Sequence, residues 1–422
     1  MSKIGFHIMT SSGVNSPWLG KFQSKVHLLL AISIGGNIPQ LINLCQTYPN
    51  THFIYRAWDY GGLGNSDHFS EYFKRYGTNP EPLIKAHEPV FQAMSQLHNR
   101  FSTQLWNECG HERESWPNFI EFNRRFVLEM DRRGLSAAVL GLGPGHPAWE
   151  GGGDARSRIK EAWVQARPLF ETIINAKQQH YINLHEYHSF PFGRFYPWII
   201  GRYMWLLQDA AEMGLDISRL KIVIGESGLT NPNSLNVQSP AGPNGYEYAL
   251  SQGYTPEQIA EDYIRMVREV YDSSPNLLGL CYYGLGGKET NFWPEFDLLA
   301  KPQILERMYD LIQKETTPVI DTPVIKFKIT TAVLNVRQTP STTFTPLGTL
   351  AVDTIVETDG YTDVDGVRWR RLRGGTYPGA YCAEKGTTVF YMVEYVPESE
   401  PDWKTEVLAK IEELKTLIEQ VP

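Results

Sequence analysis

The sequence predicts an α/β architecture: a (β/α)₈ TIM-type barrel over residues 1–313, a linker at 314–325, a small all-β barrel over 326–395 and a C-terminal helix at 396–422. Three observations carry this. Up to about residue 313, eight short apolar, β-rich segments alternate with helix-like stretches. Consecutive segments begin about 39 residues apart on average, the size of a βα unit with generous loops. Beyond residue 325 the spacing collapses to short strands punctuated by turn pairs.

The eight strands are expected at residues 3–9, 26–33, 51–58, 101–107, 135–142, 181–187, 221–226 and 277–283. Helices are expected at 38–48, 81–98, 116–133, 156–176, 196–213 and 256–271, where apolar residues recur at i, i+3 and i+4. Thr255-Pro256-Glu257-Gln258 reads as a helix start, with a cap, a proline in the first turn and an early acid. Gly134 and Gly214 read as helix stops. An open doubly wound sheet is the alternative, but no GxGxxG follows the first strand, and eight units suit closure better.

The linker, KETTPVIDTPV and one further residue, is rich in Pro and Thr and has no period. In the all-β segment, strands are expected at 326–333, 347–358, 366–372, 379–384 and 389–393, with turns at Asp359-Gly360 and Asp365-Gly366. In the tail, Trp403, Val407, Ile411, Leu414, Ile418 and Val421 form a near-heptad seam. Such a seam would serve self-association or docking on the chain's own β barrel.

Composition bounds the function. Net charge is −8, against nucleic acid as the main partner and against a polybasic membrane surface. Four cysteines (Cys45, Cys109, Cys281, Cys382) lie far apart with no CxxC, which argues against a zinc knuckle or a disulfide scaffold. Aromatic residues make up 12%, enough to fill cores and also to offer flat faces for sugar rings. The N-terminus has no signal-type apolar region, and no run approaches the roughly 20 apolar residues of a membrane helix. The expectation is a cytoplasmic protein, or one released by lysis and phage-associated.

In a (β/α)₈ barrel the reactive residues sit at the C-terminal ends of the strands. The fourth strand runs into Trp106-Asn107-Glu108-Cys109-Gly110, and the seventh into Gly225-Glu226-Ser227-Gly228. Two carboxylates facing each other across a barrel mouth are what glycoside cleavage needs: one protonates the leaving oxygen, the other attacks. The sixth strand ends His185-Glu186-Tyr187-His188, with His185 and Tyr187 on one face by the period of two. The third ends Tyr55-Arg56-Ala57-Trp58-Asp59. No HExxH exists among His7, His146 and His188, so no metal is expected. Gly-Glu-Ser-Gly-Leu around Ser227 is not a GxSxG elbow, and no Lys ends a strand in the setting a Schiff base needs.

This pattern resembles clan A of the glycoside hydrolases, which are retaining (β/α)₈ enzymes. The resemblance implies an acid/base role for Glu108, a nucleophile role for Glu226 and no cofactor. It implies substrate-side roles for Arg56, Trp58, Asn107, His185, Tyr187, Tyr283 and Trp293, with Arg56 and Tyr187 supporting the nucleophile and Asn107 bonding a 2-hydroxyl. Cys109 departs from the Pro that many members carry there. His185 is open between a sugar contact and a satisfied core imidazole. The two carboxyl groups are expected about 5–5.5 Å apart. The loops at 230–254 and 284–300 are expected to wall the site, with Tyr246, Tyr248, Phe292 and Trp293 offering ring faces.

Within the all-β segment, Leu334-Asn335-Val336-Arg337, Thr339-Pro340-Ser341, Leu347-Gly348-Thr349-Leu350 and Trp369 resemble a bacterial SH3 domain. The segment departs from that family at Gln338-Thr339-Pro340 and at Ala380-Tyr381-Cys382. The resemblance implies a cell-wall peptide or polysaccharide ligand, or a spacer. The leading expectation is therefore a retaining β-glycoside hydrolase acting on an oligo- or polysaccharide, with cell-wall glycan one candidate. The alternative is a glycan-binding or virion structural protein that does not cleave. Two facing carboxylates favour the enzyme.

Overall fold

The computed structural model describes residues 3–8, 10–23, 29–32, 38–49, 51–57, 69–95, 100–109, 112–147, 154–188, 190–192, 200–231, 244–272, 274–286, 294–315, 325–337, 347–364, 366–372, 380–385 and 391–395. The chain divides into two compact units, Met1–Pro318 and Val319–Pro422. No helix among the described residues is long and apolar enough to cross a membrane.

The first unit is a closed barrel of eight parallel strands: β1 (Ile4–Ile8), β2 (Leu29–Ile32), β3 (His52–Arg56), β4 (Phe101–Gln104), β5 (Ser136–Leu142), β6 (Tyr181–His188), β7 (Lys221–Leu229) and β8 (Leu277–Leu285). β1 pairs with both β2 and β8, which closes the ring. Each strand falls where the apolar segments predict it. β4 is shorter than expected, stopping at Gln104, while β7 and β8 run on to Leu229 and Leu285.

Two expected helices are broken in the middle. The stretch 81–98 divides into Glu81–Ala86 and Glu88–Met94, and 156–176 divides into Ala155–Gln165 and Arg167–Asn175. The breaks fall just before Pro89 and Pro168, whose rings remove an amide donor and clash with the preceding turn. The Thr255 cap is present as a full capping box with Gln258. The loop expected at 230–254 contains the helix Gly245–Ser251, and Tyr246 is buried there, so it offers no free ring face. Most of the large core lies between the barrel wall and the helices, built from residues such as Trp116, Trp163 and Phe170. A smaller cluster of Ile54, Ala138, Tyr181, Val223 and Cys281 is separate from it.

The second unit is an antiparallel sheet in the order β11-β10-β14-β13-β12-β9-β15. Its strands are β9 (Ile325–Ile329), β10 (Val333–Arg337), β11 (Gly348–Ala351), β12 (Ile355–Val364), β13 (Val367–Leu372), β14 (Tyr381–Lys385) and β15 (Met392–Glu394). Seven strands replace the five expected: the segment at 347–358 divides in two, and β10 lies almost wholly beyond the strand expected at 326–333, which ends in the structure at Ile329. Asp353, at φ 65°, marks the division of 347–358. Asp359-Gly360 is no turn: β12 runs through it with a register shift between Thr358 and Tyr361. Gly366 does sit in the β12–β13 hairpin, at φ 75°. Trp369, Phe327, Leu334, Val336 and Cys382 form this unit's core. The tail helix expected at 396–422 and most of the linker lie outside the described residues.

Candidate active site

Two β-bulges build the site. Leu184 pairs with Ile224 and His185 with Glu226, so Gly225 is an extra residue on β7. By the period of two, Glu226 would otherwise share the face of Ile224, which belongs to the core cluster of the wall. The bulge turns Glu226 to the opposite face. On β5, Leu140 pairs with Asn183 and Leu142 with Leu184, leaving Gly141 as the extra residue. Its carbonyl accepts the Glu108 amide at 2.7 Å. That bond holds Glu108 at φ 51°, a conformation uncommon for a residue with a Cβ.

The side chains then converge from several strands. Arg56 at the end of β3 forms an ion pair with Glu226 Oε1. The two strands are not neighbours, so the pair crosses the barrel interior. Tyr187 donates its hydroxyl to Glu226 Oε2 at 2.7 Å. His185 Nε2 lies 3.3 Å from Arg56 Nη2, and its Nδ1 lies 2.9 Å from Glu108 Oε1 and 3.5 Å from Glu226 Oε2. A guanidinium only donates, so Nε2 accepts and Nδ1 carries the proton toward Glu108. His7 Nδ1, from β1, sits 3.7 Å from Glu226 Oε1. Its ring meets Tyr283 edge-on at 5.0 Å, and Tyr283 in turn meets Tyr187 and Phe296.

The two carboxylates differ in setting. The Glu226 side chain is 7% exposed and that of Glu108 44%. Burial alone would raise Glu226, but the Arg56 charge, followed by the neighbouring His185 and His7 imidazoles and the Tyr187 hydrogen bond, outweighs it, holding the carboxyl well below the usual carboxylate range. Burial, reinforced by the Arg56 charge, lowers His7 to about 3, so that ring is neutral at pH 7. Burial and the Glu226 charge push the Tyr187 hydroxyl well up, which keeps it a donor. Behind the site, the buried Arg202 donates to the carbonyls of Gly143 and His185 at 2.8 and 2.6 Å, tying the residue after β5 to the middle of β6. Gly143 lies against Glu108: a Cβ there would approach the Glu108 carboxyl carbon to 3.1 Å.

Of the residues singled out in the sequence, Arg56, Glu108, His185, Tyr187, Glu226 and Tyr283 come together. Asn107 precedes Glu108, and its buried Oδ1 has no hydrogen-bond partner among the described residues. Trp58 and Trp293 lie outside the described residues, as does Phe292. Glu186 points away from His185 and Tyr187. Its carboxylate accepts from the amides of Gly201 and Tyr203 and from Tyr271. His7 and Phe296 were not anticipated at the site, although β1 alternation would have put His7 on the same face as Gly5.

One donor atom each from Glu108, His185 and Glu226 lie within 4.8 Å of one another, a spacing a metal could use. The donor set fits a cation poorly, because Arg56 already neutralises Glu226 and the proton on His185 Nδ1 faces the same space.

No protein-family model matches the chain, and no curated protein matches it. Several solved structures resemble its fold. A glycoside hydrolase family 5 enzyme from Prevotella bryantii B14 is 9% identical, with a TM-score of 0.42, over 74% of this chain and 96% of that one. An endo-1,4-β-D-mannanase from Thermotoga petrophila RKU-1 is 12% identical, with a TM-score of 0.42, over 74% and 100%. A double mutant of the Cellulomonas fimi endo-β-1,4-mannanase is 11% identical, with a TM-score of 0.43, over 89% and 92%.

Proposed function

We propose that the barrel is a retaining β-glycoside hydrolase acting on an oligo- or polysaccharide. The observation that carries the reading is the spacing of Glu108 and Glu226, whose nearest donor atoms lie within 4.8 Å. Oxygens this close leave no room for a water hydrogen-bonded between them, as an inverting pair about 6.5–9.5 Å apart requires, and favour the closer retaining arrangement of about 5–5.5 Å between carboxyl groups. The asymmetry of the two environments supports the same division of labour: a buried carboxylate held as an anion, and a more open one beside it.

In this reading a Glu226 oxygen attacks the anomeric carbon as the bond to the leaving oxygen breaks. Glu108 passes its proton to that oxygen. Water then enters, loses a proton to Glu108 and displaces Glu226, restoring both groups. Arg56 and Tyr187 keep Glu226 ionised and aimed. His185 orients Glu108 through Nδ1. Asn107 is assigned a sugar 2-hydroxyl on the strength of the sequence resemblance, and Tyr283 and Phe296 pack with Tyr187 as an apolar wall beside the nucleophile's hydrogen-bond donor. The second unit is read as a bacterial SH3-like module that tethers the barrel to an insoluble glycan, on the strength of its sequence resemblance.

The experiment is a screen of the purified chain on β-linked aryl glycosides, β-linked soluble polysaccharides and peptidoglycan, with Glu226→Gln and Glu108→Gln as controls. Hydrolysis lost in Glu226→Gln supports the reading. An inactive wild-type chain on all of these leaves a glycan-binding barrel instead. A chain ending at residue 318 should keep its rate on soluble substrates and lose it on insoluble ones; equal loss on both removes the tethering role.

A further inference from the structure

Below the two carboxylates, a line of hydrogen bonds crosses the barrel. The Gly225 amide donates to Asn183 Oδ1 at 2.8 Å, Asn183 Nδ2 donates to Gln104 Oε1 at 2.6 Å, and Gln104 Nε2 donates to the Trp106 carbonyl at 2.8 Å. Asn183 stands on β6 and Gln104 at the end of β4, with β5 between them, so their bond spans the interior. The line starts one residue before Glu226 and ends two residues before Glu108.

Its polarity is fixed from both ends. A backbone amide can only donate and a carbonyl can only accept, so both side-chain amides must point the same way. Both ends also rest on the bulge glycines. A Cβ on Gly225 would lie 2.5 Å from Asn183 Oδ1, and one on Gly141 would lie 2.5 Å from the Trp106 carbonyl oxygen. The same Gly141 accepts the Glu108 amide. The bulges that turn the two carboxylates inward are thus the places where the amides seat.

Two fully buried amides cost more than apolar filler unless each bond is made. The neighbouring cluster of Ile54, Ala138, Tyr181, Val223 and Cys281 shows that apolar side chains fill this barrel elsewhere. An amide line that ends on the backbone beside each carboxylate does what filler cannot: it fixes a length. We propose that Asn183 and Gln104 are a spacer that sets the separation of Glu226 from Glu108. The inference rests on the glycosidase reading and makes both amides positioning residues, with no contact to substrate.

The test compares wild type with Asn183→Leu, Gln104→Met and the double variant on a soluble β-linked aryl glycoside that wild type cleaves, with melting temperature followed in parallel. Asn183→Asp and Gln104→Glu, which keep shape and lose a donor, stand in if the apolar variants fail to fold. Each folded single variant should lose about 10- to 100-fold in kcat while KM stays within about twofold, since a misplacement near 1 Å costs on that scale. The double variant should be no slower than the worse single, because a line cut once is already cut. Folded variants with wild-type kcat overturn the spacer, as does a double variant slower by the product of the singles. If wild type cleaves no glycoside, the underlying reading falls, and the spacer with it; that outcome is distinct from an active wild type with unaffected variants.

Discussion

Tyr187 donates to one oxygen of Glu226 while Arg56 pairs with the other, so both oxygens of this buried carboxylate are engaged. The tyrosine bond is the separable one, because removing a hydroxyl leaves no charge behind. Tyr187→Phe should lower kcat/KM about 10- to 100-fold, matching the roughly 1.5–3 kcal/mol of a hydrogen bond to a charged group. It also removes one of the influences that hold Glu226 low. The acidic limb of the rate profile should therefore move to higher pH. An unmoved limb in an active variant would assign that limb to another group.

The Arg56–Glu226 pair has a consequence for stability. Glu226 is held below its unfolded value, so its ionisation stabilises the fold above the ordinary carboxylate range. That contribution is lost as pH falls through the lowered native value. Glu226→Gln leaves Arg56 buried without its counter-ion, and breaking such a pair costs about 3–5 kcal/mol at neutral pH. The gap between wild type and Glu226→Gln in denaturant melts should be constant from pH 8 to about 5 and shrink on further acidification. A gap that grows toward acid would reverse the sign of the linkage.

Glu108 is the more open carboxylate, and in the proposed mechanism an acid there matters most when the leaving group is poor. Glu108→Gln should still be glycosylated by aryl glycosides with good leaving groups. It lacks a base for the water step, so a burst of released phenol and a covalently labelled Glu226 should appear, the label found by peptide mass. On unactivated oligosaccharides the loss should be about 10²- to 10⁴-fold. A uniform loss across leaving groups, with no burst, would place the acid elsewhere.

What the sequence reveals follows from periodicity. An apolar strand that ends in a carboxylate is visible, so Glu108 and Glu226 could be singled out, and the period of two put His185 and Tyr187 together. Asn183 is hidden because one polar residue between Ile182 and Leu184 looks like noise in an apolar strand, and Gln104 because it only closes the polar run Ser102-Thr103-Gln104. The bulges at Gly225 and Gly141 are equally hidden: each breaks the period it would be read from. The helix breaks before Pro89 and Pro168 were legible from proline alone, and the apolar spacing on either side masked them. In the sequence His7 offers itself only as a metal ligand, since nothing local links β1 to a carboxylate on β7.

The bulge glycines give the last prediction. Gly225 lacks the room for any side chain, because a Cβ would fall within 2.5–2.6 Å of the Asn183 carboxamide. Gly225→Ala must push Asn183 aside or shift β7. Overpacking of this kind costs about 1–3 kcal/mol. The strand that moves carries Glu226 as its next residue, so the loss should reach the chemistry as well. Melting temperature and kcat should fall together. Trimming Asn183 to Ala in the same chain should recover melting temperature by relieving the clash, yet leave kcat low, because the line across the barrel stays cut. Recovery of both would mean that Asn183 fills space and does not set the distance between the carboxylates.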